Sequence, residues 1–119
     1  MNNKIEFSTN WNNKLQCKYF NTLRLSGRYE INQVYSVYLG SKMIGTAKCV
    51  SKIRHEKVAD LPENICMLDT GYGKTETIRI LKNMYKQTPN IETTPVYSYV
   101  FGYITQLPIN DTQQLNLFL

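Results

Sequence analysis

Residues 96–104, "VYSYVFGYI", carry an aromatic ring at every second position: Tyr97, Tyr99, Phe101 and Tyr103. Successive side chains of a strand point to opposite faces, so this run predicts a strand with one aromatic face, turned toward a core or a barrel interior. Two further β-rich runs, "VYSVYL" from Val34 to Leu39 and "MIGTAKCVSKI" after it, are joined by Gly-Ser-Lys and predict a hairpin. Gly45 lies inside the second run, where a bulge or the close approach of another backbone is the usual reason. "NKIEFS" is a short strand candidate and "NTLRL" an extended segment.

Helical periodicity is confined to two places. In "TETIRILKNMYK", Ile78, Leu81 and Tyr85 recur at i, i+3 and i+7 with Met84 on the same flank, and Lys82 and Lys86 sit near the end where the dipole favours cations. In "STNWNNKLQCKYF", Thr9 or Asn10 is placed to cap a short helix with Trp11 and Leu15 on one face. "PENICMLD" reads as a short helical turn opened by Pro62, and "QTPNIETTP" as a loop. Strands outnumber helices, and 119 residues make one domain with a core of its own, so a small α+β barrel-like domain is expected.

"DTGYGKTETIRIL" has the look of a nucleotide-binding loop. A phosphate-binding loop of that kind needs a glycine five positions before Gly73, and Leu68 stands there. No run of β-branched residues precedes it. The stretch is expected instead to turn at Gly71 and Gly73, with Thr75 capping a helix and Glu76 at its positive end.

The net charge of +5 permits an anionic partner without demanding one. Cys17, Cys49 and Cys66 are three and far apart, which fits neither a disulfide framework nor a zinc site. Neither a metal nor a cofactor is expected. Reduced thiols, and the lack of an apolar run of about 20 residues, point to a cytoplasmic protein with no membrane partner.

The order "CKYFNTLRL", "YEINQVYSVYLGSKMIGTAKCVSKIRHEKVADL", "MLDTGYGKTETIRILKNMY", "TPVYSYVFGYI" resembles the ASCH domain family of the PUA-like superfamily. The family's G-[KR]-K-T-x-T-I-R segment is represented by Thr22, Leu23 and Arg24 in "NTLRL", and its turn into a late helix by "LDTGYGKTETIRILKNMY". The resemblance implies a PUA-like β-barrel of five to six strands with flanking short helices over 1–104. A polar tail with an apolar tip, suited to docking, follows at 105–119.

PUA-like domains commonly bind RNA, and one ASCH branch hydrolyses acetylcytidine with a lysine and a threonine of that segment and a glutamate before the late helix. Here Cys17 stands for the glycine, Lys18 keeps a basic position, Tyr19 replaces the lysine and Phe20 the first threonine. Thr22 remains. The glutamate position falls near Thr70, beside Asp69. The resemblance therefore implies binding of RNA or a modified nucleotide beside Thr22-Leu23-Arg24, with no catalytic residue assigned. A hydrolase of the acetylcytidine type, and a protein-interaction domain on the same scaffold, are the alternatives.

The expected binding residues are Lys18, Tyr19, Thr22, Arg24, Arg28 and Lys42, with Lys48 and Lys52 on the same basic face. Arg24 suits a bidentate contact, or else an ion pair with Glu30 or Asp69. Tyr19 and Phe20 are neighbours on a strand, so one of them faces the core while the other is free to stack on a base. His55 is expected at the surface.

Overall fold

The computed structural model describes residues 3–107. Five strands, β1 (Lys4–Phe7), β2 (Tyr19–Arg24), β3 (Val34–Leu39), β4 (Lys42–His55) and β5 (Val96–Gln106), form one sheet in the order β1-β3-β4-β5-β2. β1 runs parallel to β3, and every other pairing is antiparallel. The sheet curls into a half-barrel, so that the edge strands β1 and β2 approach each other: the Phe7 and Phe20 rings meet edge to face at 5.7 Å. Two helices, α1 (Glu63–Thr70) and α2 (Lys74–Met84), follow β4. The C-terminal tip expected to dock lies outside the described residues.

The aromatic alternation of β5 sets the core. Tyr99, Phe101 and Tyr103 are buried on the inner face, with Tyr97 packed against them. Phe101 stacks on Phe20 at 5.6 Å and meets Tyr29 and Tyr35 edge to face at 5.8 and 5.9 Å. Of the two neighbours on β2, Phe20 is inside and Tyr19 is 59% exposed. A second, smaller core lies under the helices, where Leu81 of α2 and Cys66 of α1 pack with Leu23 and Val96, flanked by Ile78 and Tyr85. These are the positions that the i, i+3, i+7 spacing selects; Met84, on the same flank, is exposed.

The β3–β4 hairpin turns at Gly40, whose φ is +64°. Gly45 has φ +154°, and a Cβ there would run into the carbonyl oxygen of Thr105. The β3–β4 register shifts beside it, between Val37 and Tyr38. A bulge and a close backbone approach coincide at this glycine.

Two local expectations are corrected. "WNNKLQ" is a kinked strap of 3-10 turns rather than a short helix, because Asn12 and Asn13 both adopt left-handed backbone (φ +58° and +54°). Thr75 is also not the cap of α2. The helix begins after Gly73, and the Lys74 N–H donates to the Glu63 carboxylate at 2.8 Å, so α1 supplies the anion at the start of α2.

Candidate functional site

A cavity of about 360 Å3 opens between the barrel and the helix pair. Its apolar walls include Phe7, Trp11, Leu23, Ile80, Leu81 and Met84, and its polar groups include Lys14, Thr22, Arg24 and Asp69.

Each polar side chain is delivered by a different piece of chain. Asp69 comes from the last turn of α1. Gly71 ends that helix in left-handed backbone (φ +84°), and its N–H returns to the Met67 carbonyl at 2.8 Å. The Asn12 side chain lies against Gly71, at contact distance from where a Cβ would stand. The strap, residues Trp11–Gln16, is thus laid across the end of α1 and carries Lys14 inward. Trp11 meets Tyr72 edge to face at 6.5 Å on the same side.

Lys14 forms a buried ion pair with Asp69, and its ammonium lies 5.3 Å from the Phe7 ring centroid. Burial pushes the Lys14 pKa below the ordinary lysine value. Asp69 works against that shift through charge and hydrogen bond, and Arg24 adds to it. The amine is therefore easier to neutralise than a surface lysine.

Thr22 and Arg24 sit two apart on β2, on the same face. Arg24 Nε donates to Thr22 Oγ1 at 3.1 Å, and Nη2 donates to the Glu6 carbonyl at 2.8 Å. Its guanidinium also stacks 4.6 Å above the Phe7 ring. Arg24 pairs with neither Glu30 nor Asp69; the partners are a backbone oxygen, a hydroxyl and a ring. Its Nη1 makes no hydrogen bond among the described residues. Thr22 accepts from Arg24 and keeps its own proton to give.

The cavity thus brings together Thr22 and Arg24 with Asp69. Lys18, Tyr19, Arg28 and Lys42 do not line it. Lys18 Nζ reaches the Tyr103 carbonyl at 3.5 Å, and Arg28 Nη2 donates to the Lys4 carbonyl at 2.7 Å. Tyr19 lies on the outer face of β2 with its ring over Gly102. Lys42 is exposed at the start of β4. Lys52 Nζ donates to the Gly27 carbonyl at 2.8 Å, and half-buried His55 contacts Ser98 Oγ at 3.1 Å. Lys74 Nζ donates to the Ala59 carbonyl at 2.7 Å, which is the contact of a helix-flanking lysine.

Lys14 is the residue that sequence reasoning missed. Its signal was the pair Asn12-Asn13 just before it. Asparagine tolerates left-handed backbone, and two in succession break the helix that the Trp11–Leu15 spacing suggested.

Among the described residues, no group of three or more His, Cys, Asp or Glu side chains is placed to hold a metal ion. No helix there is long and apolar enough to cross a membrane.

These elements define a small mixed α+β fold with a barrel-like five-stranded sheet. The chain is similar to the crystal structure of protein EF3133 from Enterococcus faecalis V583, of family model DUF984. The TM-score is 0.67 at 8% sequence identity, covering 92% of this chain and 85% of that one. A likeness at that identity shows the fold alone. No family model matches the sequence, and no curated protein matches it.

Proposed function

We propose that this chain is an ASCH-like, PUA-type barrel that binds a modified nucleoside or nucleotide in the cavity, taken free or as an unpaired residue of RNA. The observation that carries the reading is the buried Lys14–Asp69 pair beside Thr22 and Arg24 in a largely apolar cavity. Burying two charges costs several kcal/mol per ion before their attraction is counted, and apolar side chains of similar volume often serve stability as well or better. Displaced pKa values cluster in working clefts, and the lowered Lys14 pKa beside Thr22 and Arg24 supports this reading. The volume is near the lower end for ligand pockets, which fits one nucleoside and not a stretch of strand. The resemblance to the ASCH family independently points to Thr22 and Arg24.

On this reading an RNA ligand places one base in the cavity, and Tyr19 offers an aromatic plane to another. Lys18, Arg24 and Arg28 already donate to backbone carbonyls. Few phosphate contacts follow, and a log–log salt slope of about −1.5 to −2 is expected for two to three phosphates on a single strand. The test is calorimetric titration of acetylcytidine, cytidine and a short single-stranded RNA into wild type, Arg24→Ala and Tyr19→Ala. Acetylcytidine should saturate wild type and Tyr19→Ala but not Arg24→Ala, while RNA should weaken in both variants. No nucleoside binding, together with unchanged RNA binding in Arg24→Ala, would sink the reading.

Lys14 favours a second reading, hydrolysis of an acylated nucleoside. The aligned segment has Tyr19 where the hydrolase branch has its lysine, yet an amine enters the cavity from the strap. In its neutral form Lys14 would take the Thr22 proton as Oγ1 adds to the acyl carbon, then pass it to the departing amine. Water would release the acid and restore Thr22. Chromatographic assay for cytidine released from acetylcytidine decides it: turnover lost in both Thr22→Ala and Lys14→Met supports hydrolysis, and intact acetylcytidine with wild type excludes it.

A further inference from the structure

The strap carrying Lys14 is held by posts outside the cavity. Asn12 and Asn13 are left-handed, and this kink turns the strap inward. The Lys14 amine has been drawn out of water. Desolvation of the buried amine favours its return to solvent, and the attraction of Asp69 opposes it.

The restraints that oppose this fall on the next two residues. The Leu15 N–H donates to Asn10 Oδ1 at 2.9 Å within the strap's own turn. The Leu15 carbonyl accepts from Tyr103 Oη at 2.9 Å and from Gln106 Nε2 at 3.3 Å. The same Gln106 amide donates to the Gln16 carbonyl at 3.1 Å. Both posts stand on β5, about 90 residues along the chain from the strap. Burial pushes the Tyr103 hydroxyl up to about 12, so it remains a donor throughout the working pH range.

We infer that Tyr103 and Gln106 are positioning residues for Lys14: by pinning the carbonyls of Leu15 and Gln16, they keep the Lys14 amine inside the cavity against Asp69. This rests on the reading of Lys14 as a working group of the cavity. The charged groups facing that amine are Asp69 from α1 and Arg24 from β2, with the Phe7 ring of β1 beneath it. Neither post lines the cavity. The Tyr103 ring also reaches Lys14 through Phe20 and Phe7, so Tyr103→Phe, which keeps that ring, isolates the hydrogen bond to the strap.

The experiment follows the Lys14 side chain itself. The full chain, labelled for lysine 13Cε detection, is titrated with pH by NMR as wild type, Tyr103→Phe, Gln106→Ala and the double variant. The control is Tyr99→Phe, which removes another buried β5 tyrosine's hydroxyl-to-carbonyl bond (Tyr99 Oη to the Ser26 carbonyl, 2.7 Å) without touching the strap.

The double variant should raise the Lys14 titration by about one unit toward the ordinary value and weaken acetylcytidine binding about tenfold. Tyr99→Phe should move neither, though its melting temperature falls. Tyr103→Phe alone, which keeps the packed ring, should give a smaller shift of the same sign and decides the matter if the double variant does not fold. An unchanged Lys14 titration in the variants, or an equal shift in Tyr99→Phe, overturns the inference. Failure of acetylcytidine to bind any form removes the proposed ligand, yet the titration still decides the positioning role.

Discussion

Asp69→Asn isolates the buried pair, because the amide keeps the size of the carboxyl and removes its charge. Lys14 and Asp69 are 5% and 6% exposed, so water cannot replace the lost partner without a rearrangement. Removing one member of such a pair typically costs about 3–5 kcal/mol. The loss here has a ceiling, since Lys14 can shed its proton. Burial already lowers its pKa, and Asp69 is what holds it up; without that carboxylate the amine neutralises at a lower pH. We expect about 3 kcal/mol at pH 7, the low end of the range for that reason.

The sign of the pH dependence follows. A lysine whose folded pKa is depressed is deprotonated in the folded chain while the unfolded chain still holds its proton. Wild-type stability therefore gains from Lys14 as pH rises from the folded pKa toward the ordinary value of 10.5. In Asp69→Asn that gain begins at lower pH, so the deficit against wild type narrows as pH approaches 10.5. Urea unfolding followed by Trp11, the single tryptophan, at pH 7 and pH 10 measures both effects. Lys14→Met/Asp69→Leu, which removes both charges, should recover most of the stability while binding is lost. A deficit under about 0.5 kcal/mol at pH 7, typical of an ordinary surface site, would refute the reasoning. So would a double variant less stable than either single one.

Gly45→Ala should cost more than about 2 kcal/mol, because strained backbone is added to a collision with the Thr105 carbonyl. Gly40→Ala, at φ +64° with open space around it, should cost only about 1–2 kcal/mol, and thermal unfolding of the two variants side by side tests the difference. Phe20→Ala should cost about 3–5 kcal/mol in urea unfolding, since its ring packs on Phe7, Phe101 and Tyr103 at 5.3–5.7 Å. Lys74→Ala should stay within about 0.5 kcal/mol of wild type and change no nucleotide affinity; saturable ATP binding lost in that variant would revive the phosphate-loop reading.

The strands, the hairpin and α2 were legible because period and turn chemistry are local: alternating rings in β5, Gly40-Ser41 between β3 and β4, Ile78, Leu81 and Tyr85 on one helix face. Gly45 was legible for the same reason, being a glycine where a strand residue belongs. The site was legible only in part. Thr22 and Arg24 came from resemblance to a family motif, not from periodicity. Lys14 and Asp69 are 55 positions apart and meet only because a left-handed kink turns the strap onto the end of α1. The cap of α2 was missed for a like reason: its anion, Glu63, belongs to another helix. Contacts of that range leave no mark on a window of a dozen residues.

The closure of the half-barrel has its own consequence. β1 meets β2 not by a ladder but by the Phe7–Phe20 contact and by Arg24 of β2 and Arg28 beyond it, which donate to the Glu6 and Lys4 carbonyls. The hydrogen bonds of both clasps go to main-chain carbonyls, and Arg24 adds its stack on the Phe7 ring of β1. Arg24 is also a wall of the cavity, with one nitrogen still uncommitted. A ligand that draws on that nitrogen pulls on the clasp as well. If the proposed ligand binds there, occupancy of the cavity and tightness of the seam are coupled, and amide exchange in β1, whose Glu6 and Phe7 line the cavity, would report on whether the site is filled.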